Sequence, residues 1–361
     1  MDFAIKNIVI ATVIFGTILV IIFENRNPVK TIAWCMVLTF MPVIGLLLYI
    51  LFGMDNRHRR QIKDEDLSRL KGITEITQSD DILSEMPVPQ KPLADMLRKM
   101  NKSFLLSGND VEIITDFQTM SDRLIADIEG ARHHINMLFF KFEDDAAGRR
   151  IADALIRKSE EGVLVRLIYD DAGNLMVPRR FYRKLRKHGI QVRGFIRIFL
   201  PILSRDYNSR NHRKVVVIDG RVGYMGGMNI AQRYAEGLKW GIWRDTHMRI
   251  TGPAVSELQT SFLTDWKFTK GDEPDLAPMY PYNPPCGNTL MQIVTGGPMD
   301  KWNVMMQAYM TAIASARHHA YLQSPYFIPP EPIMKTLQNA ALSGVDVRVM
   351  IPYRGDKGVL P

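Results

Sequence analysis

The chain divides into an apolar N-terminal part and a longer part in which short apolar runs alternate with polar ones. Ile8–Phe23 is sixteen residues without a charge, and Thr31–Gly53 is a second uncharged stretch of twenty-three residues. At 1.5 Å per residue the second stretch would span about 34 Å as one helix, which is enough to cross a bilayer. Only the seven residues Glu24–Lys30 connect the two. The pattern predicts a membrane hairpin of two transmembrane helices, the second kinked at Pro42 and Gly45.

The charges beside these stretches predict the orientation of the hairpin. Arg57, His58, Arg59, Arg60 and Lys63 follow the second stretch closely. Because basic residues favour the cytoplasmic side, we expect both ends of the hairpin and the rest of the chain to be cytoplasmic, at a bacterial inner membrane. A cleaved signal peptide is the alternative for the first stretch, and the second stretch directly after it argues against cleavage.

After a charge-rich linker the chain alternates between the periods of strands and helices. This alternation predicts an α/β domain, a mixed sheet flanked by helices. The predicted strands are Val111–Asp116, His134–Phe142, Val163–Tyr169 and Gln191–Ile196, and the predicted helices are Met120–Ile128, Gly148–Glu161 and a basic helix over Arg179–His188.

An internal repeat divides the α/β part into two halves. Ala131-Arg-His-His134 recurs as Ala316-Arg-His-His319, and Gly162–Ile168 is echoed by Gly344–Ile351, at offsets of 185 and 182 residues. The second half of the tandem repeat is therefore incomplete within the 361 residues. The predicted organisation is two transmembrane helices over 1–53, a charged linker and lead-in helix over 54–108, a first half over 109–280 and an incomplete second half over 281–361.

Net charge and cysteine content narrow the class of protein. The formal net charge of +8 suits work against an anionic surface, either lipid or nucleic acid. The two cysteines, Cys35 and Cys286, lie far apart in the sequence, which gives no indication of a disulfide framework or a cysteine-based metal site.

The run from Asn211 to Gly220, with the sequence that follows it, carries the candidate chemistry. His212 and Lys214 are two apart in a β-branched run, so on a strand they project from one face. Asp219-Gly220 is typical of a hairpin turn, and a two-residue turn across Asp219–Arg221 would bring Asn229 within about two positions of His212. Gly226 and Gly227 would leave room for a ligand to approach the backbone. The pattern predicts a histidine nucleophile with Lys214 and Asn229 as donors to phosphate oxygens; in the alternative, it is an ordinary buried hairpin.

These residues resemble the signature of the phospholipase D superfamily. The matching positions are His212, Lys214, Asp219, Gly226, Gly227 and Asn229. The resemblance implies that His212, Lys214 and Asp219 are catalytic, with Lys214, Asn229, Gly226 and Gly227 binding phosphate. It further implies a phosphohistidine intermediate and a second motif that protonates the leaving alcohol, with no metal and no cofactor.

Further segments resemble bacterial cardiolipin synthases, one branch of that superfamily. They are the paired apolar stretches, Asn211–Lys214, Trp243–Pro253 and Gln323–Pro329. The resemblance implies phosphatidyl transfer between two phosphatidylglycerol molecules with release of glycerol, phosphatidylglycerol and an anionic bilayer as partners, and no nucleic acid. A phospholipase D-type hydrolase, a nuclease and an inactive membrane-bound remnant are the alternatives.

The repeat predicts where the second motif of the superfamily would fall. His212 follows His133 by 79 residues, so a counterpart is expected near position 397, beyond the 361 residues. This spacing has three interpretations: the chain is a fragment, the gene is disrupted, or a homodimer supplies the second motif.

Several other residues are candidates for secondary roles. Tyr326 either lines the site or packs in a core, and the His133-His134 pair is expected to be structural because adjacent strand residues face opposite ways. Arg244 and Asp245 are expected to form a structural ion pair, and Asp145 to cap a helix. A final group is apolar and precedes the nucleophile, so it either gives lipid access from the membrane or forms a buried turn: Phe199, Leu200, Ile202 and Leu203.

Overall fold

The computed structural model describes residues 2–23, 28–53, 90–196, 210–239, 241–297 and 302–353. The chain forms two compact units, Met1–Gln61 with Ile196–Arg210, and Ile62–Phe195 with Asn211–Pro361. The linker over 54–89, with its predicted basic cluster, and the predicted lipid-access residues Phe199, Leu200, Ile202 and Leu203 lie outside the described residues.

The described residues of the N-terminal unit before position 54 are helical. They form α1 (Asp2–Phe23), α2 (Pro28–Phe40), α3 (Pro42–Leu48) and a π-helical turn, Tyr49–Gly53. The kink predicted at Pro42 appears as a full break at Met41, between α2 and α3. Proline fixes its own backbone and restricts the residue before it, so Pro42 begins a new helix here.

The three helices pack through a small apolar core. Ile21, Leu38 and Tyr49 are buried, and the Tyr49 ring meets that of Trp34 edge to face at 5.4 Å. A Cβ on Gly45 would lie 2.6 Å from the carbonyl oxygen of Val37, so glycine is required for this close contact. Many other large apolar side chains of α1 to α3 are exposed. Within the described ranges no helix combines the length and the apolar character needed to cross a membrane.

The second unit is built on a mixed sheet, as the sequence predicts, and the sheet has eight strands. The strands are β1 (Leu105–Ile114), β2 (His134–Phe139), β3 (Leu164–Asp170), β4 (Gln191–Phe195), β5 (Val215–Ile218), β6 (Val222–Gly226), β7 (His247–Thr251) and β8 (Thr289–Gln292). Their order is β4-β3-β2-β5-β6-β7-β1-β8, in which β2, β3 and β4 are parallel and the other neighbours are antiparallel. The helices of this part are α4 (Lys91–Asn101), α5 (Phe117–Gly130), α6 (Ala146–Glu160), α7 (Arg179–Lys187), α8 (Gln232–Glu236) and α9 (Val255–Phe268), with a 3₁₀ turn at Ala277–Met279.

The centre of the sheet is buried on both faces, and β5 shows how the sequence achieves this. Val216 and Ile218 belong to the large core between the sheet and the helices α5 and α6, whereas Val215 and Val217 belong to a core beneath α9. Strand side chains alternate between faces, so a continuous β-branched run suits a strand covered on both sides. The central position of β5 fixes the segment before it, which carries His212 and Lys214.

The repeated sequence segments form equivalent structure. β2 and β3 are parallel neighbours that pair His134 with Leu164, joined through α6. A separate sheet pairs β9 (His319–Gln323) with β10 (Asp346–Met350) in parallel, with His319 opposite Asp346. The helix between them is α11 (Glu331–Leu342), and α10 (Val304–Ala314) precedes β9 as α5 precedes β2. The second half thus contains the strand–helix–strand unit that β2, α6 and β3 form in the first half. β8, which the sequence groups with that half, pairs with β1 of the first sheet.

Asp219 joins the β5–β6 turn to the start of β2. The turn contains three residues, Asp219–Arg221, rather than the predicted two, and both Asp219 and Gly220 have positive φ. The Asp219 carboxylate accepts hydrogen bonds of 2.8 to 2.9 Å from three successive backbone N–H groups, those of Arg132, His133 and His134. The four residues of β5 separate this carboxylate from Lys214, and its three backbone partners support a structural role for Asp219; its catalytic role remains a prediction.

Replacing Asp219 tests this structural role. Asp219→Ala removes the acceptor for three N–H groups and a side chain that tolerates positive φ, so we expect a loss of about 2–3 kcal/mol in the free energy of unfolding, measured with urea. Asp153→Ala is the matched control, because Asp153 is an exposed carboxylate paired with Lys184, and it should cost under about 1 kcal/mol. Equal losses in the two variants would show that the turn contact does not stabilise the fold.

Candidate active site

His212 and Lys214 lie side by side in the extended segment that leads into β5. The predicted strand begins only at Val215, so both residues precede it. The Lys214 ammonium nitrogen is 3.0 Å from Nδ1 and 3.4 Å from Nε2 of His212, and it donates to the His212 carbonyl oxygen at 2.7 Å. The imidazole is exposed while the lysine is buried. A phosphate group approaching from solvent would therefore meet the histidine first and the ammonium directly behind it.

Burial changes the acidity of Lys214. Desolvation lowers the pKa of its ammonium to about 8, and the nearby carboxylate of Asp245 opposes the shift. Lys214 is therefore mainly in its charged, ammonium form at neutral pH, but Asp245 offsets only part of the cost of burying that charge. A buried cation in this state gains more from an incoming phosphate than an exposed lysine would.

The backbone on both sides of His212 is anchored by buried carboxylates. The N–H of Asn211 donates to Asp170, at the end of β3, at 2.9 Å. The guanidinium of Arg213 donates to both carboxylate oxygens of Asp265, on α9, at 2.6 Å. Asp170 and Asp265 are each 5% exposed or less. The backbone of His212 is thus held between two fixed neighbours.

Phe140 forms the aromatic wall of the site. Its ring centroid lies 4.5 Å from that of His212, and the Lys214 nitrogen lies 5.5 Å from the centroid of the Phe140 ring. The Phe140 carbonyl accepts a hydrogen bond of 2.7 Å from the Asn174 amide. The wall is therefore fixed by the loop that follows β3.

The two glycines make room for the protein's own chain. A Cβ on Gly226 would lie 2.5 Å from the Cα of His247, and one on Gly227 would lie 2.0 Å from Oδ1 of Asp245. The prediction that these glycines clear space for a ligand needs correction, because residues that lead into and begin β7 occupy that space. Because Gly226 and Gly227 have no side chains, Asp245 approaches closely enough to act on the charge of Lys214.

His247 is a buried histidine in the Trp243–Pro253 segment, and the sequence assigns it no role. It pairs with Gly226 across the sheet, and its ring stacks on Phe139 at 6.4 Å. Burial first, and the charge of Lys214 second, lower the pKa of His247 to about 3, so the ring is neutral. A neutral ring beside Lys214 adds no competing charge to the site.

The side-chain amide of Asn229 forms hydrogen bonds within the protein. Its oxygen accepts from the backbone N–H of Lys141 at 3.1 Å, and its nitrogen donates to the Tyr234 hydroxyl at 2.9 Å. These contacts leave one amide hydrogen for a ligand, so the predicted phosphate contact from Asn229 remains a prediction. Extending the β5–β6 register brings Met228, the residue before Asn229, opposite His212, within the predicted two positions.

The remaining candidates fall around this centre. Arg244 and Asp245 do not pair with each other: Asp245 accepts from the N–H of Thr246, and Arg244 lies 3.5 Å from the Gln323 amide oxygen at the end of β9. Tyr326, three residues further on, is exposed, so it is not a core tyrosine. Asp145 caps α6 through the N–H of Gly148, as predicted.

The paired histidines face opposite sides, as predicted. His134 is buried and His133 is exposed, and both donate their backbone N–H to Asp219. Across the described parts of the chain, no cluster of three or more histidine, cysteine or acidic side chains is arranged to hold a metal ion.

The arrangement supports nucleophilic chemistry on a phosphate ester. An exposed imidazole can attack phosphorus, and the ammonium behind it can neutralise charge on the phosphoryl oxygens. Asp170 and Asp265 fix the attacking residue in place. Sequence reasoning identifies the histidine and the lysine, and it misses the two carboxylates because they come from β3 and α9, far away in the chain.

Two families and several curated relatives match the chain. Residues 124–266 match the family described as "Cardiolipin synthase, PLD-like domain", and residues 12–53 match "Phospholipase_D-nuclease N-terminal". The "Major cardiolipin synthase ClsA" of Bacillus subtilis is 37% identical over 98% of this chain and 74% of its own length. A cardiolipin synthase of Listeria monocytogenes is 38% identical over 97% of the chain and 74% of its own length.

A solved structure is similar in fold. The crystal structure of phosphatidylserine synthase from Haemophilus influenzae superposes with a TM-score of 0.53 at 15% identity, covering 73% of this chain and 66% of that one. At that identity the likeness shows the fold alone, whereas the curated relatives are similar over nearly the whole chain. The chain belongs to the cardiolipin synthase family of phospholipase D-like proteins.

Proposed function

We propose that this protein is a phosphatidyltransferase that makes cardiolipin from two molecules of phosphatidylglycerol. The observation that carries the proposal is the exposed His212 imidazole 3.0 Å from the buried ammonium of Lys214. Family membership supports the substrate class, since the similar proteins are named cardiolipin synthases. The family also supports association with membranes.

The first half-reaction forms a phosphohistidine. A ring nitrogen of His212 attacks the phosphorus of phosphatidylglycerol, the bond from phosphorus to the glycerol headgroup oxygen breaks, and glycerol leaves with a proton from a general acid. The phosphate draws the Lys214 ammonium away from the ring nitrogen and the His212 carbonyl. One hydrogen of the Asn229 amide supplies a further donor to the phosphoryl oxygens.

The second half-reaction returns the phosphatidyl group to an alcohol. The terminal hydroxyl of a second phosphatidylglycerol loses its proton to a base and attacks phosphorus, and the bond from phosphorus to nitrogen breaks. The acid and base in both steps is a second histidine. In the superfamily this histidine belongs to a second motif; the 361 residues contain one H-x-K sequence, that of His212 and Lys214.

The apolar helices α1 to α3 are proposed to anchor the protein as a membrane hairpin. The uncharged stretches Ile8–Phe23 and Thr31–Gly53 support this proposal, as do the many exposed apolar side chains of the three helices. The basic residues that follow them favour a cytoplasmic catalytic domain at a bacterial inner membrane. The predicted lipid access through Phe199, Leu200, Ile202 and Leu203 remains a prediction.

Replacing the nucleophile tests the proposed reaction. With phosphatidylglycerol vesicles as substrate, we expect cardiolipin and free glycerol as products, and His212→Ala should abolish both because no covalent intermediate can form. Chromatography of the lipids separates cardiolipin from phosphatidic acid, the product of hydrolysis. His188→Ala is the control, since His188 is a surface residue beside Glu160, and it should retain full activity. Phosphatidic acid as the main product, or cardiolipin formation by His212→Ala, would contradict the proposal.

The pH dependence of the reaction tests the role of Lys214. The pKa of its ammonium is lowered to about 8, so the charge is present below that pH and is lost above it. We therefore expect kcat/KM to fall as pH rises through about 8. Lys214→Ala should lower the rate on the order of 10²-fold, and Lys214→Arg should remove the fall at alkaline pH because a guanidinium stays charged. A fall near pH 8 that persists unchanged in Lys214→Arg would assign it to another group.

A further inference from the structure

The loop between β3 and α7 carries an exposed apolar tip. Met176 is 95% exposed and Leu175 is 48% exposed, whereas the next residue, Val177, packs against the main core. The tip is held by its neighbours in sequence, since the N–H of Gly173 donates to Asp170 and that of Val177 donates to the Asn174 carbonyl, each at 2.9 Å. Two large apolar side chains are thus fixed in solvent by a folded loop.

The same loop is connected to the candidate active site. Asn174 donates to the Phe140 carbonyl at 2.7 Å and accepts from the N–H of Phe142 at 2.9 Å, and the Phe140 ring lies against His212. Asp170, where the loop begins, accepts the N–H of Asn211. The position of the apolar tip and that of the nucleophile are therefore set by one group of hydrogen bonds.

The helix that follows the loop is strongly basic. α7 has the sequence Arg-Arg-Phe-Tyr-Arg-Lys-Leu-Arg-Lys, in which the three apolar residues are buried and the six basic residues are exposed. Among the described residues, only Lys184 of the six forms an ion pair, with Asp153 at 3.1 Å. The uncompensated charge makes this surface complementary to an anionic one.

An apolar tip beside exposed cations fits one kind of partner better than others. Anionic headgroups would meet the cations of α7, and the acyl region would receive Leu175 and Met176. A nucleic acid would satisfy the cations alone and leave the apolar pair in water. The combination favours a lipid surface.

We propose that Leu175 and Met176 insert into an anionic bilayer while α7 binds its headgroups, and that this contact sets the height of His212 above the membrane. The inference rests on the proposed membrane location of the protein, but not on its chemistry. It concerns a surface of the α/β unit, separate from the apolar helices α1 to α3.

A depth measurement at Met176 tests the inference. In the full chain carrying Cys35→Ala and Cys286→Ala, a fluorophore is attached at Met176→Cys, and the protein is reconstituted into vesicles of phosphatidylcholine with or without phosphatidylglycerol. With phosphatidylglycerol present, quenching by nitroxide-labelled lipid should exceed that of a control position at least about threefold, since only the tip reaches the acyl region. The control is Arg221→Cys, an exposed residue in the β5–β6 turn, at the edge of the sheet opposite the carboxyl end of β3.

The role of α7 is tested in the same assay. Arg179→Gln, Arg180→Gln and Arg183→Gln combined should reduce quenching at position 176 to its level in pure phosphatidylcholine. Equal quenching at positions 176 and 221 would overturn the proposal. So would protection of the fluorophore at position 176 from water in the absence of lipid, either on raising the protein concentration or on adding an oligonucleotide. If the protein floats with the vesicles while position 176 stays aqueous, only this inference fails; if it does not float, the proposed membrane location fails.

Discussion

An ammonium kept out of water beside an imidazole is the feature on which the rest of this site depends. Lys214 is buried with its nitrogen 3.0 Å from His212, and desolvation lowers its pKa to about 8. Such a cation is costly to fold around, because no carboxylate among the described residues forms an ion pair with it. A bound phosphate reduces this cost because it pairs with the ammonium. The unfavourable free energy of the buried charge in the free protein therefore strengthens substrate binding.

The surrounding structure serves to keep this pair in place. β5 lies at the centre of a sheet covered on both faces, and Asp170 and Asp265 fix the backbone on either side of His212. Gly226 and Gly227 allow Asp245 and His247 to approach, and the charge of Asp245 opposes the fall in the pKa of Lys214. His247 stays neutral and therefore does not compete.

The sequence predicts the parts of this arrangement that are encoded locally. The β-branched run predicts β5, the periodicity predicts most of the other strands and helices, and the repeat predicts a second strand pair that the structure contains. Contacts between distant segments could not be predicted this way. The partners of Asp219 lie 85 to 87 residues earlier, those of Asn211 and Arg213 lie on β3 and α9, and the glycines face β7 rather than a ligand. The break at Met41 had a local signal in Pro42, which predicted a kink there.

Direct detection of the covalent intermediate tests the central claim, that His212 attacks phosphorus beside a buried ammonium. The protein is mixed with phosphatidylglycerol, denatured within milliseconds in alkali, where a bond from phosphorus to nitrogen survives, and digested for mass spectrometry. The account predicts a phosphatidyl adduct on the peptide that contains His212, and at that residue within it. Steady formation of cardiolipin without an adduct on His212, or with the adduct on another residue, would contradict it.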